Sequence, residues 1–314
     1  MIAELALLRE LTLSRAPQAG RALHLSAASG LVCCGEWLYV IADDENHLGV
    51  FSLADHAAPG DLLRVRAGDL PDEKYKRKKQ KADFEAMVAL PSFGGYPHGA
   101  LLVMGSGSRT NRMIASLIAL DAHGVARLKG HLPRAIDFTP LFTSLTNVFA
   151  ELNIEGAFVD GEHLALLQRG NTSGGRNARI RVALAPLLAG IARGDALMSS
   201  AHEDICDFSL GDINGVPLGF TDGTALPGGG FVFTAAAEDT DDAYADGACA
   251  GSVIGMVGAD DQLRHMWRLD GARKLEGIAV RGTAQGLQLL LVTDPDAANV
   301  PGQLLTTIIA PWQS

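Results

Sequence analysis

No apolar run in this 314-residue chain approaches the ~18–20 residues that cross a bilayer as a helix. The N-terminal stretch MIAELALLRELTLSRAPQ places Glu4, Arg9 and Glu10 where a signal peptide needs unbroken apolar sequence. Both absences lead us to expect a cytoplasmic protein with no membrane partner. Basic charge is in deficit: 26 Lys and Arg stand against 36 Asp and Glu, a formal net charge of −10, the wrong footprint for a nucleic-acid partner. The four cysteines are Cys33, Cys34, Cys206 and Cys249. They form no CxxC and no metal-ligand spacing, so they read as structural thiols. No GxSxG supplies a nucleophile elbow, and no HExxH supplies a zinc site.

What the sequence does have is glycine, 36 residues of it, punctuating many short apolar runs in the manner of strands and turns. Five segments share one beginning: SGLVCCG at Ser29, FEAMVALP at Phe84, IEGAFVDG at Ile154, TDGTALPGG at Thr221 and LEGIAVRG at Leu275. Each is followed, after a turn, by a second apolar run (EWLYVIADD, GALLVMGSG, EHLALLQRG, GFVFTAAAE, LQLLLVTDPD) and then a third. A more polar fourth run closes the first four units. The fifth lacks one, but ALLRELTLS near the N-terminus is a strand-like run with no unit of its own. A recurring four-stranded unit with a swapped terminal strand predicts an all-β protein, a β-propeller. We expect five four-stranded blades (six being the alternative count) in a single domain over 1–314, with the N-terminal strand closing the last blade. Outside the blades, Phe138 to Leu152 and Pro186 to Ala196 read as short helical insertions, and the basic run EKYKRKKQK at 73–81 reads as a solvated loop.

In a propeller the first strand of each blade lines the central channel, and it starts on the face that carries the loops joining second and third strands. Those loops are ADDEN (42–46), GSGSRTNR (105–112), QRGNTSGGRNAR (168–179), AAEDTDDAYADG (236–247) and TDPDAAN (293–299). Glu85, Glu155, Asp222 and Glu276, each just before or at the small residue that opens a unit, are therefore expected to ring the channel mouth. Like charges that close raise one another's pKa unless something neutralises them. A hard cation such as Ca²⁺ suits a carboxylate ring. Arginines folding inward from the loops, or backbone N–H groups, serve as well. GSGSRTNR offers backbone amides and two guanidinium forks to an anion, although it opens no helix and so is no P-loop.

At LEGIAVRG…LLLVTDPD and IEGAFVDG…LALLQRGN the chain resembles the bacterial esterase-like phytase-domain propellers and related uncharacterised five- or six-bladed propellers. The resemblance implies Ca²⁺ and phosphate-ester chemistry at the channel-mouth carboxylates, which falls on Glu155 and Glu276 and then on Glu85 and Asp222. Ser29 replaces the acid in the first unit. The expectation is thus a small-anion site, working by Ca²⁺-assisted hydrolysis of a phosphate or carboxyl ester. In it Glu155 and Glu276 are catalytic, all four acids are metal ligands, and Arg109, Arg112, Arg169 and Asn171 hold the anion. A ligand- or protein-binding propeller without turnover, and a sugar-lactone hydrolase using Asn171 or Asn111, are the alternatives.

Overall fold

A computed structural model describes residues 2–128, 132–170, 175–194, 202–240, 247–283 and 286–309. Five antiparallel sheets stand around a central channel. The innermost strands, in chain order, are Ala28–Cys34, Phe84–Leu90, Ile154–Asp160, Val216–Ala225 and Lys274–Thr283. Each packs beside the inner strands of the two adjacent blades, so the five close a ring. The fifth blade is completed from the other end of the chain: Ala6–Glu10 pairs antiparallel with Gln303–Ile309, with Ala6 opposite Thr306 and Glu10 opposite Gln303. The fold is therefore a five-bladed propeller with its N-terminal strand as the clasp. Ile2–Ala3 adds a short parallel strand to the outer edge of the fourth blade.

The blades are uninterrupted in hydrophobicity because both of their faces are buried. In the second strand of the first blade, Trp37–Ala42, Leu38, Val40 and Ala42 pack with Leu290 and Val292 of the fifth blade. The alternate residues Tyr39 and Ile41 pack with Phe84, Met87 and Val103 of the second. This period of two sends successive side chains to opposite faces. Repeated around the ring, it gives five hydrophobic clusters, each between two adjacent blades. The cluster between the second and third blades is enlarged by helix α2 (Thr139–Thr146), which contributes Leu141, Phe142 and Leu145, and by helix α3 (Leu184–Arg193), which contributes Leu187, Leu188 and Ile191.

The basic run is the one insertion whose form differs from expectation. Lys74–Gln80 is a helix, α1. The Glu73 carboxylate accepts from the amides of Tyr75 and Lys76, and Arg77, Lys78 and Lys79 fall in the last turn, where positive charge suits the helix dipole. Lys, Arg and Gln are good helix formers, so the run folds locally once its C-terminal carbonyls are satisfied. Asn111 donates to the carbonyl of Lys81 at 2.9 Å and Arg112 to that of Lys78 at 3.1 Å.

Every inner strand carries a β-bulge at the same place, one residue opposing none on its partner. The bulged residues are Ser29, Glu85, Glu155, Thr221 and Glu276. In the first and fourth blades the bulge holds a hydroxyl: Ser29 donates to the carbonyl of Phe84 at 2.9 Å and Thr221 to that of Leu275 at 2.7 Å, each tying its blade to the next. In the other three it holds a glutamate. Asp222 is one residue out of this register and takes the place that Gly30, Ala86, Gly156 and Gly277 fill elsewhere. Its carboxylate accepts from the amides of Gly223 at 2.7 Å and Ile278 at 3.0 Å, and the Leu31 amide of the first blade adds a weaker third donor. Three blades are thus joined through one side chain.

Candidate functional site

The channel has two chemically distinct ends. One is a cavity of about 220 Å³ whose lining side chains carry no charge, Leu31, Met87, Phe158 and Ile278 among them. The other is a charged cavity of about 200 Å³ at the face where the inner strands begin. Asp222 lines neither. Burial pushes its carboxyl well above the usual range, against the pull of its backbone donors.

The charged cavity is built from two sources. The bulges present Ser29, Glu85, Glu155 and Glu276; the ends of the second strands bring Glu238 and Asp294, and the loops that follow second strands bring Asp43, Arg112, Arg169 and Asp296. Residues two positions before three of the bulges complete it. These are Asp83 before Glu85, Asn153 before Glu155 and Lys274 before Glu276, with Lys81 two further back.

On one side of the cavity, oxygen atoms of Asp43, Asp83 and Glu85 all lie within 4.8 Å of one another. This acidic cluster is capable of holding a divalent cation, since hard cations take carboxylate oxygens. The Lys81 ammonium stands among them, 2.8 Å from Asp83 and paired with Asp43. Asp83 also meets Arg112 at 2.5 Å and Ser106 at 2.7 Å. These partners hold it in the left-handed region, at φ 55°, a conformation costing a non-glycine residue on the order of 1 kcal/mol that persists only where surroundings enforce it. Burial would raise the Asp83 carboxyl, but Lys81 and Arg112 outweigh it and hold the group below its ordinary value. For Glu85 the balance is reversed. Burial and the neighbouring Asp83, Glu155 and Asp43 charges push its carboxyl well up, with Lys81 opposing. Among the described residues no hydrogen bond or ion pair engages the Glu85 carboxylate.

The other side is a chain of buried ion pairs. Arg169 reaches Glu238 at 2.8 Å and Glu155 at 3.4 Å; Lys274 reaches Glu238 at 2.7 Å and Glu276 at 2.9 Å, with Asp294 at 3.5 Å and Asp296 at 3.6 Å. The Asn153 amide donates to Glu155 at 2.5 Å. Burial pushes the Glu155 carboxyl up to about 6 against the nearby Arg169 and Lys274 charges, and it pushes Asp294 up to about 8.

The structure thus brings Glu85, Glu155, Glu276, Arg112 and Arg169 into one cavity. It leaves Asp222 outside the wall, and Arg109 is exposed at the cap of the 3-10 turn Thr110–Arg112. Asn171 falls outside the described residues. Arg176 pairs with Asp207 at the surface, and Arg179 with Asp204 and Asp261 away from the cavity. Sequence reasoning missed Asp43, Asp83, Asn153, Glu238 and Asp294 as site residues. The motif Lys81-x-Asp83-x-Glu85 was the available signal, three charged residues at every second position, the last of them at the bulge.

A five-bladed propeller whose channel mouth is a charged cavity with a cation-capable acidic cluster is the class that fold and site define. The chain belongs to a family of unknown function, DUF6929, whose model matches residues 24–309. No curated protein matches it. Among solved structures the chain is similar to the tail fibre of Staphylococcus aureus phage P68, at 12% identity and TM-score 0.50 over 98% of this chain and 53% of that one. It is also similar to a luciferin-regenerating enzyme (10% identity, TM-score 0.48, 92% of this chain and 95% of that) and to a gluconolactonase of Xanthomonas campestris (11% identity, TM-score 0.45, 98% and 90%). At these identities the likeness is one of fold alone. Among the described residues no helix is long and apolar enough to cross a membrane.

Proposed function

We propose that the channel mouth is a hydrolytic site for a small anionic ester, phosphate or carboxyl, that works with a divalent cation held by Asp43, Asp83 and Glu85. The observation that carries this reading is the convergence of three carboxylates within 4.8 Å on one wall of the cavity, one of them, Glu85, without a hydrogen bond or ion pair among the described residues. A buried carboxylate without a partner is costly. The all-oxygen donor set suits Ca²⁺, with the Lys81 ammonium sharing or yielding the seat. Such an ion supplies Lewis acidity toward an ester oxygen and lowers the pKa of a water molecule.

The chain's own residues take the remaining roles. Glu155, its carboxyl near 6, is ionised at neutral pH yet basic enough to accept a proton from water. Asn153 fixes its orientation through Oε1. Arg169 and Lys274 present positive charge in a water-poor site, where it best stabilises charge developing on the ester, and Glu276 holds Lys274 in place. The test is turnover of p-nitrophenyl phosphate and p-nitrophenyl acetate with Ca²⁺, Mg²⁺ or Mn²⁺ and with EDTA. The expected result is EDTA-sensitive hydrolysis that is lost in Glu155→Gln and in Glu85→Gln, with both variants folded. Turnover indifferent to EDTA and to both substitutions, or no turnover of either ester, refutes the proposal. The second reading, a propeller that binds a ligand without converting it, is favoured by one observation: Arg112, Arg169 and Lys274 are already engaged by buried carboxylates.

A further inference from the structure

A buried lysine stands on each side of the charged cavity, and their surroundings differ. In the fifth blade Lys274 meets the bulge glutamate Glu276 directly, at 2.9 Å. It also pairs with Glu238, Asp294 and Asp296, so each of these four carboxylates has a partner. In the second blade Lys81 stands further back from its bulge. Its ammonium pairs with Asp43 and lies 2.8 Å from Asp83. The bulge glutamate, Glu85, has no hydrogen bond or ion pair among the described residues, although it is only 9% exposed and lines the cavity. Three carboxylates, with oxygens within 4.8 Å of one another, thus share two cationic side chains, Lys81 and Arg112. One negative charge is left over. A divalent ion in place of the ammonium leaves none over.

We infer that the Lys81 ammonium is a tethered competitor for the cation seat of Asp43, Asp83 and Glu85. A divalent ion binds there by displacing it, and the lysine sets how tightly the ion is held. This inference rests on the cation seat of the hydrolytic reading and deepens it. Ion and ammonium exclude one another by charge. With the ion, Lys81 and Arg112 all in place, positive charge outnumbers the three carboxylates, and like charges that close repel strongly in a buried site. The lysine can withdraw without any change of fold. Its backbone is fixed at the end of α1, where its N–H donates to the Arg77 carbonyl and its carbonyl accepts from Asn111. Its four-carbon stem is flexible. Lys81 itself lines the cavity of about 200 Å³, which gives the ammonium room to move. Arg112 is held differently, by Asp83, Ser108 and the Lys78 carbonyl together, so it stays as part of the frame.

The test is calorimetric titration of the EDTA-treated, full-length protein with Ca²⁺ and, separately, with Mn²⁺. Lys81→Met removes the ammonium and keeps the stem. Lys74→Gln is the control, because Lys74 lines the same cavity and pairs with none of the three carboxylates. The expected result is ion binding at least about tenfold tighter in Lys81→Met than in the wild type, tenfold being the scale of one modest charge contact, and a change below about threefold in Lys74→Gln. Binding by Lys81→Met alone supports the inference in its strongest form, with the lysine closing the seat. Equal or weaker binding in Lys81→Met overturns the inference and leaves the cation seat standing. An equal gain in Lys74→Gln also overturns it, since a diffuse field then accounts for the effect. No binding by any of the three proteins overturns inference and seat together. Reductive methylation of the wild type, read at Lys81 by mass spectrometry, decides the matter even if Lys81→Met does not fold. Lys81 should react faster in saturating ion than in EDTA, with Lys74 unchanged. An unchanged Lys81 rate in wild type that binds the ion overturns the inference. Failure of ester turnover with the competition intact rejects the hydrolytic reading alone.

Discussion

Asp222→Ala tests the claim that one carboxylate joins three blades. The wild-type side chain accepts from Gly223 and Ile278 at 2.7 and 3.0 Å, with Leu31 as a weaker third. Truncation leaves these buried donors without an acceptor, at about 1–3 kcal/mol for each fully desolvated one. Against that stands the relief of no longer burying a charge, several kcal/mol in a dry site. The balance is a destabilisation of about 3 kcal/mol, or a fall of roughly 5 °C in Tm at this chain length. Urea unfolding followed by tryptophan fluorescence measures it directly. Asp222→Asn keeps one acceptor oxygen and turns an NH₂ toward an amide donor, so its loss should fall between wild type and alanine. An alanine variant within about 1 kcal/mol of wild type would show that the inner strands hold together without the side chain.

Two further outcomes follow from the same geometry. A Cβ on Gly156 meets the Asp222 Cα and Oδ1 at 2.9 Å, so Gly156→Ala should cost about 1–3 kcal/mol and, combined with Asp222→Ala, less than the sum of the two, as a double-mutant cycle in urea would read. His47 is buried, and burial together with the Arg64 and Arg15 charges lowers its pKa from 6.5 to about 4. The unfolded chain then binds the proton first as the solution is acidified. The stability is complete above pH 6.5 and is lost as pH falls toward 4, by up to about 3 kcal/mol. In His47→Gln the acid-side slope of stability against pH should flatten, and an unchanged slope would contradict the assignment.

The blades were legible because their physics is local and periodic. Alternation in runs such as Trp37–Ala42 follows from strand geometry alone, and the unpartnered N-terminal run fitted the edge left open in the fifth unit. The acid-small opening of four of the five units was legible too, but its register was not. Thr221-Asp222-Gly223 spells nearly the same words as Leu275-Glu276-Gly277, yet the bulge falls on Thr221 in one and on Glu276 in the other. Only the pairing across the sheet decides which residue turns toward the cavity and which onto the backbone. The acidic cluster joins Asp43 from a loop of the first blade to Asp83 and Glu85 of the second, a contact between units that no single-unit pattern encodes. Helix α1 was misjudged because charge outweighed propensity in the reading. Its docking depends on Asn111 and Arg112, some thirty residues away in the chain.

The measurement that bears most directly on the account is the thermal unfolding midpoint in EDTA and after addition of Ca²⁺, Mg²⁺, Mn²⁺ or Zn²⁺, for the wild type and Glu85→Gln. A cation held by Asp43, Asp83 and Glu85 in the folded state alone adds about 2.7 kcal/mol at a hundredfold excess over its Kd. A clear rise is expected in the wild type with a hard divalent ion, and little or none in Glu85→Gln. No rise with any of the ions, or the same rise in both proteins, would contradict it and leave the acidic cluster as part of the ion-pair framework that joins the blades.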